Sequence, residues 1–138
     1  MKVNDKQIAG AHYQKGSIQH WDLMDEIDVG YLEGCATKYL TRWRDKNGLQ
    51  DLLKAQHYIE KRIEQFTWGK GRSKGAPWSP NFNRFIYENE VGDSESVIIE
   101  KILFWQNIQD LKFANTKMNA LIDDARAEGD ATSAYVNQ

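Results

Sequence analysis

The sequence is poor in the features that staple or anchor small proteins. It has one cysteine, Cys35, in 138 residues. No internal disulfide can form, which fits a reducing compartment, and a small packing residue is the expected role for Cys35. The three histidines, His12, His20 and His57, have no zinc-ligand spacing, so a structural zinc is not expected. Only two prolines occur, Pro77 and Pro80. The longest apolar stretch, around Val97 to Trp105, is interrupted by Glu100 and Lys101 and is too short and too polar to cross a bilayer. No apolar run follows Met1 to Lys6, so no secretory signal is expected. Neither sign of charge dominates: 18 basic against 20 acidic residues give a net charge of −2. A general duplex-DNA binder is usually basic, so none is expected here, and any nucleic-acid role must come from a local patch. The glycine-rich run Gly69 to Gly75 does not fit the Walker pattern, because Pro77 follows where a helix should open. It reads as a mobile basic hinge, able to close over a polyanion as lid loops do. The Glu-Glu-x-x-Glu helix of a helical pyrophosphohydrolase is also missing.

What is there is ordinary globular chemistry, with 41% hydrophobic and 28% charged residues, enough to bury a core in one domain. The fold class expected is all-α and oligomeric: an antiparallel helical hairpin, a short helix before it and a long C-terminal helix after it. The short helix covers about Ile18 to Ile27, and Gly30 either ends it or opens the next. The second helix runs from about Tyr31 to Asp45. Tyr31, Leu32, Cys35, Ala36, Tyr39, Leu40 and Trp43 recur at helical spacing as its apolar face. Asn47 and Gly48 stop it. Asn47 is also the expected cap of a third helix from about Leu49 to Phe66, with Gln50 three residues on. Leu52, Ala55, Ile59, Ile63 and Phe66 form that helix's inward stripe. Residues 67–92 read as a basic Gly/Pro linker, with Phe82, Phe85, Ile86 and Tyr87 packing back or forming a short strand. Asp93 to Ser96 starts a fourth helix reaching Ala127, about 45 Å at ~1.5 Å per residue. Its heptad-like seam of Leu111, Ala114, Met118, Leu121 and Ala125 suits oligomerisation, or else the helix bends back and completes the core. The organisation expected is therefore 1–66, 67–92 and 93–138.

Lys38 and Arg42, four residues apart, share a helix face. Lys46 stands a turn further on, and Lys54 lies on the neighbouring helix. Such a cluster either binds phosphate, with arginine as a fork and lysine as a point charge, or is simply a solvated face. Asp22, Asp25, Glu26 and Asp28 in or near the first helix, with Glu33 and Asp51, are the candidate acids for Mg²⁺. Asp51 alternatively only stabilises the start of the third helix. His12, beside Tyr13, can donate to phosphate or shuttle a proton, or is simply a satisfied structural histidine.

The ordered set His12-Tyr13, Ile18 with Asp22, Gly34-Cys35-Ala36-Thr37-Lys38-Tyr39-Leu40-Thr41-Arg42, Lys46 and Asp51-Leu52-Leu53-Lys54-Ala55 with Tyr58 resembles the SaV-like family of phage proteins over about residues 11–65. That family is related to a small nucleotide kinase of short-tailed phages. The resemblance implies a nucleotide-binding homo-oligomer in the host cytoplasm. It implies phosphotransfer from ATP or another nucleoside triphosphate, with Mg²⁺, to deoxynucleoside monophosphates. Lys38, Arg42 and Asp51 would then act in transfer. His12, Tyr13, Lys38, Arg42, Lys46 and Lys54 would bind substrate phosphate, and Asp22 and Asp51 the metal. The rival expectation is a non-catalytic protein that sequesters the signalling nucleotides of host defence.

Overall fold

The computed structural model describes residues 17–136. Among them are six α-helices and one 3₁₀ turn: α1 His20–Ile27, α2 Tyr31–Arg42, the turn Trp43–Asp45, α3 Leu49–Thr67, α4 Asn81–Glu88, α5 Asp93–Leu103 and α6 Ile108–Val136. No strand occurs in the described residues. The four longest helices close a ring, α2 on α3, α3 on α6, α6 on α5 and α5 on α2, while α1 packs on α4 and against α2. Leu23, Leu40, Leu52, Ile59, Phe85, Ile98, Ile99, Leu103 and Met118 fill the space between them, each almost wholly buried. None of the helices is long and apolar enough to cross a membrane.

Three helices begin in the same way, with a glycine cap and an acid three residues on: Gly30 and Glu33, Gly48 and Asp51, Gly92 and Glu95. Glycine offers no capping side chain, so the acid occupies the positive end of the helix instead. At two of the starts the carboxylate lies over the glycine. A Cβ on Gly30 would stand 2.6 Å from Glu33 Oε1, and one on Gly92 3.1 Å from Glu95 Oε1. Gly48 takes φ +57°, a left-handed backbone that glycine adopts without strain. The cap of α3 is thus Gly48, and Asn47, expected in that role, instead donates its backbone N–H to Asp51 Oδ2 at 3.3 Å.

All three acids are buried and paired. Glu33 accepts from Arg62 Nε at 3.1 Å and from the Trp105 indole at 3.0 Å. Glu95 accepts from Arg44 Nε at 2.9 Å and from the Trp43 indole at 3.2 Å. Asp51 Oδ2 lies 3.5 Å from Arg42 Nε. A buried charge is tolerated when partnered in this way and is costly when stripped of its partner. These pairings also turn α2. Glu33, Ala36, Thr37 and Leu40 face the core, whereas Tyr31 is 75% exposed and Cys35 and Tyr39 are half-buried. The apolar face expected at Tyr31, Cys35 and Tyr39 is therefore rotated partly outward.

The C-terminal region differs from the expected single helix. The chain breaks at Phe104 to Asn107, because the carbonyls of Leu103 and Trp105 accept the amides of Ala76 and Gly75 rather than continuing the helix. Asn107 Oδ1 then accepts the Asp110 N–H at 3.1 Å and Asp110 Oδ2 the Gln106 N–H at 2.9 Å, starting α6. The seam of Leu111, Ala114, Met118 and Leu121 is buried within this chain's own core, with Ala125 packed against it. Residues 67–92 include a helix where a short strand was one expectation. Phe82 and Phe85 anchor α4 in the core.

Candidate functional site

Tyr31, Cys35 and Tyr39 recur every four residues along the outer side of α2, and Tyr58 rises beside them from α3. Tyr39 and Tyr58 stack, with ring centroids 6.0 Å apart and 16° between planes. Tyr31 meets Tyr58 edge-on at 6.4 Å. The Cys35 thiol hydrogen-bonds to Tyr31 and to Tyr58. That hydrogen bond and the charge of the ionised thiol raise the Tyr31 phenol above its usual value. At Tyr58 the thiolate charge is the main cause of the same shift. A cysteine ionises before a tyrosine, so its negative charge opposes a second one nearby.

Two of the four expected cations converge on this face. The Arg42 guanidinium lies 4.7 Å and the Lys54 ammonium 5.5 Å from the centroid of the Tyr39 ring, within cation–π range. Arg42 is mostly buried, its side chain 12% exposed, because its other side faces Asp51. Lys54 is exposed. Lys38 is also exposed, but it lies close enough to His20 to affect its titration. Lys46 is exposed just beyond the 3₁₀ turn. His12 and Tyr13 lie outside the described residues.

Three of the candidate acids, Asp22, Glu33 and Asp51, stand in the first turns of their helices. Asp22 Oδ2 accepts the Gln19 N–H at 2.8 Å and completes a capping box for α1. Asp51 is 0% exposed, with Oδ2 turned to Asn47 and Arg42 and Oδ1 buried without a hydrogen-bond partner. A Mg²⁺ ion keeps several waters and reaches substrate phosphates through an accessible carboxylate, and Asp51 as placed does not fit that task. Among the described residues no group of three or more His, Cys, Asp or Glu side chains is gathered to hold a metal ion.

His20 is set apart from phosphate chemistry by its surroundings. Its Nε2 is 2.9 Å from the Thr37 hydroxyl, which itself donates to the Glu33 carbonyl at 2.9 Å, so the ring N–H is the donor of the pair. Phe85 packs edge-on at 6.1 Å. Burial, with the nearby Lys38 charge adding to it, pushes the His20 pKa down to about 3.

Residues 8–60 match the family DUF3310, described as a protein of unknown function. The match takes in α1, α2 and the greater part of α3, and with them the whole tyrosine face, Lys38, Arg42, Lys46, Asp51 and Lys54. No curated protein and no solved structure matches the chain. Tyr31 and Cys35 belong to this face although their spacing alone suited the core equally well. The deciding signal was Glu33, an acid inside the same helix that a distant arginine and tryptophan draw inward.

Proposed function

We propose that the chain is a nucleotide-binding protein of the SaV-like phage kind, and that it holds its ligand at the tyrosine face of α2 and α3 without transferring phosphate. The observation that carries this reading is the convergence of Arg42 and Lys54 on the ring of Tyr39, beside Tyr58 and the exposed Tyr31. Aromatic faces take a base by stacking, and an exposed ammonium at the rim takes a phosphate oxygen. Arg42, itself held by Asp51, fixes the tilt of the Tyr39 ring, and Lys54 supplies mobile charge beside it. Phosphotransfer, the other function the resemblance implies, requires positioned Mg²⁺ and developing charge to be neutralised. The burial of Asp51 favours binding alone. Host-cytoplasmic residence and self-association belong to the same proposal, and light scattering is expected to give a mass above the 16.0 kDa of one chain.

Calorimetry with ATP, deoxynucleoside monophosphates and cyclic dinucleotides, with and without Mg²⁺, tests it. Saturable binding of at least one of them, insensitive to Mg²⁺ and returning the ligand unaltered, is the expected result. Diphosphate formed from ATP and any deoxynucleoside monophosphate would overturn the binding-only reading. Silence with every ligand would remove the nucleotide reading altogether.

A further inference from the structure

A second aromatic and basic surface lies outside residues 8–60. From Thr67 through Tyr87 the sequence has no acid and carries Lys70, Arg72, Lys74 and Arg84. Two tryptophans of this segment are turned to solvent, Trp68 at 63% and Trp78 at 54% exposure, although burying them would release large apolar areas. Each has lysines around it. Lys61 and Lys70 sit 5.9 and 6.0 Å from the Trp68 ring centroid. Trp78 lines a cavity of about 740 Å³ together with Lys74, Lys101, Gln106 and Asn107.

The segment between the tryptophans is held in place. The Lys70 N–H donates to the Gln65 carbonyl at 2.7 Å, and Arg72 donates to the Asp28 carbonyl at 2.9 Å. Gly71 lies directly against the Arg62 guanidinium, where a Cβ would stand 2.5 Å from Nη1. Gly75 and Ala76 are bonded to the Phe104 break. Trp105 ties the two platforms to one piece of structure: Phe66, two residues before Trp68, packs edge-on against it at 5.7 Å, and it also lines the Trp78 cavity. Two acids border the cavity. Asp110 is engaged by Lys101 at 3.5 Å and by the Gln106 amide, while Glu100 is exposed.

We propose that this surface binds single-stranded nucleic acid, with one base stacked on Trp68, another on Trp78, and the intervening phosphates on Lys70, Lys74 and Lys101. Stacking on an exposed indole needs a base face that a duplex keeps hidden within its own stack, and it tolerates any base. A free mononucleotide satisfies only one of the two platforms, whereas a strand reaches both. The net charge of −2 is compatible because the charge required is local.

Fluorescence anisotropy of the full chain with a labelled oligothymidylate of about 15 nucleotides tests the proposal. Saturable binding at about 50 mM salt is expected, with log K falling against log salt at a slope of roughly −2, as for three neutralised phosphates. Trp68→Ala and Trp78→Ala should each weaken binding about tenfold, with circular dichroism confirming unchanged helix content. Lys70→Glu should weaken it further, and Glu100→Gln should tighten it a few-fold by removing a repelling charge. The proposal is overturned by the absence of saturable binding, by equal affinity for a duplex of the same length, or by tryptophan variants that bind like the parent. Competition by free thymidine monophosphate at the same molar concentration as the strand would overturn it in favour of a single-nucleotide pocket.

Discussion

The two aromatic surfaces of this molecule are built on different principles. On α2 and α3 the tyrosines touch one another and share one cysteine and two cations. On the segment from 67 to 78 the tryptophans stand apart, each with its own lysines. A contiguous patch suits one ligand of limited size, and separated platforms suit an extended one. The tyrosine face is carried by two regular helices that Glu33 turns into place, whereas the tryptophan face depends on a chain path fixed by the bonds of Gly75 and Ala76 to Trp105 and Leu103 and by Gly71 lying against the Arg62 guanidinium. The first should therefore survive changes that dismantle the second.

The largest expected effect comes from the joint that both surfaces share. Glu33 of α2 is bonded to Arg62 of α3 and to Trp105 at the break before α6. Glu33→Ala leaves a guanidinium buried without its counter-charge and should cost about 3–5 kcal/mol, read as a drop in the urea midpoint with both surfaces lost together. Gly75→Ala separates them. Its Cβ would meet Trp105 N at 2.6 Å and the Leu103 carbonyl at 2.7 Å, backbone atoms that cannot swing aside. A loss of about 1–3 kcal/mol is expected, with strand binding impaired and nucleotide binding at Tyr39 retained.

The next effect is set by pH. The folded pKa of His20, about 3, lies below the ordinary value of 6.5, so the unfolded chain takes up the proton first as pH falls. Stability is full above pH 6.5 and declines below it, continuing down towards pH 3. Between about pH 7 and pH 5 the loss should be on the order of 1–2 kcal/mol. Denaturant titrations of the parent and His20→Gln check it, since the variant should show a flatter pH dependence. The smallest effect is at the tyrosine face. Tyr39→Ala removes one stacking partner and one cation–π acceptor and should weaken nucleotide binding by about 1 kcal/mol, near fivefold, with little change in melting temperature. Equal loss of strand binding in that variant would erase the distinction between the two surfaces.

The helical class was legible in the spacing of Leu52, Ala55 and Ile59 and in the helix-start signal at Asp93 to Ser96. The break at Phe104 was not, because its cause is the approach of Gly75 and Ala76 from nearly thirty residues away in sequence. A local signal did exist: Asn107 followed three residues on by Asp110 has the spacing of a capped helix start. The candidate cations were legible as residue types on neighbouring helices, but their destinations were not. Arg42 and Lys54 meet over Tyr39 while Lys38 lies by His20, a difference decided by side-chain direction. An aspartate such as Asp51 suits either a metal ligand or a helix start by type, and its location at the third position of α3, behind Gly48, accords with the second.

The glycine-and-acid starts of α2 and α5 also bear on how the chain acquires its shape. A helix whose opening turn depends on an arginine and an indole supplied from elsewhere has little reason to persist alone. A peptide spanning Gly30 to Arg42 should thus be mostly coil in water, short helices being marginal without outside support. Secondary structure and assembly then arrive in a single event, and melting curves followed by helix signal and by tryptophan fluorescence should superimpose.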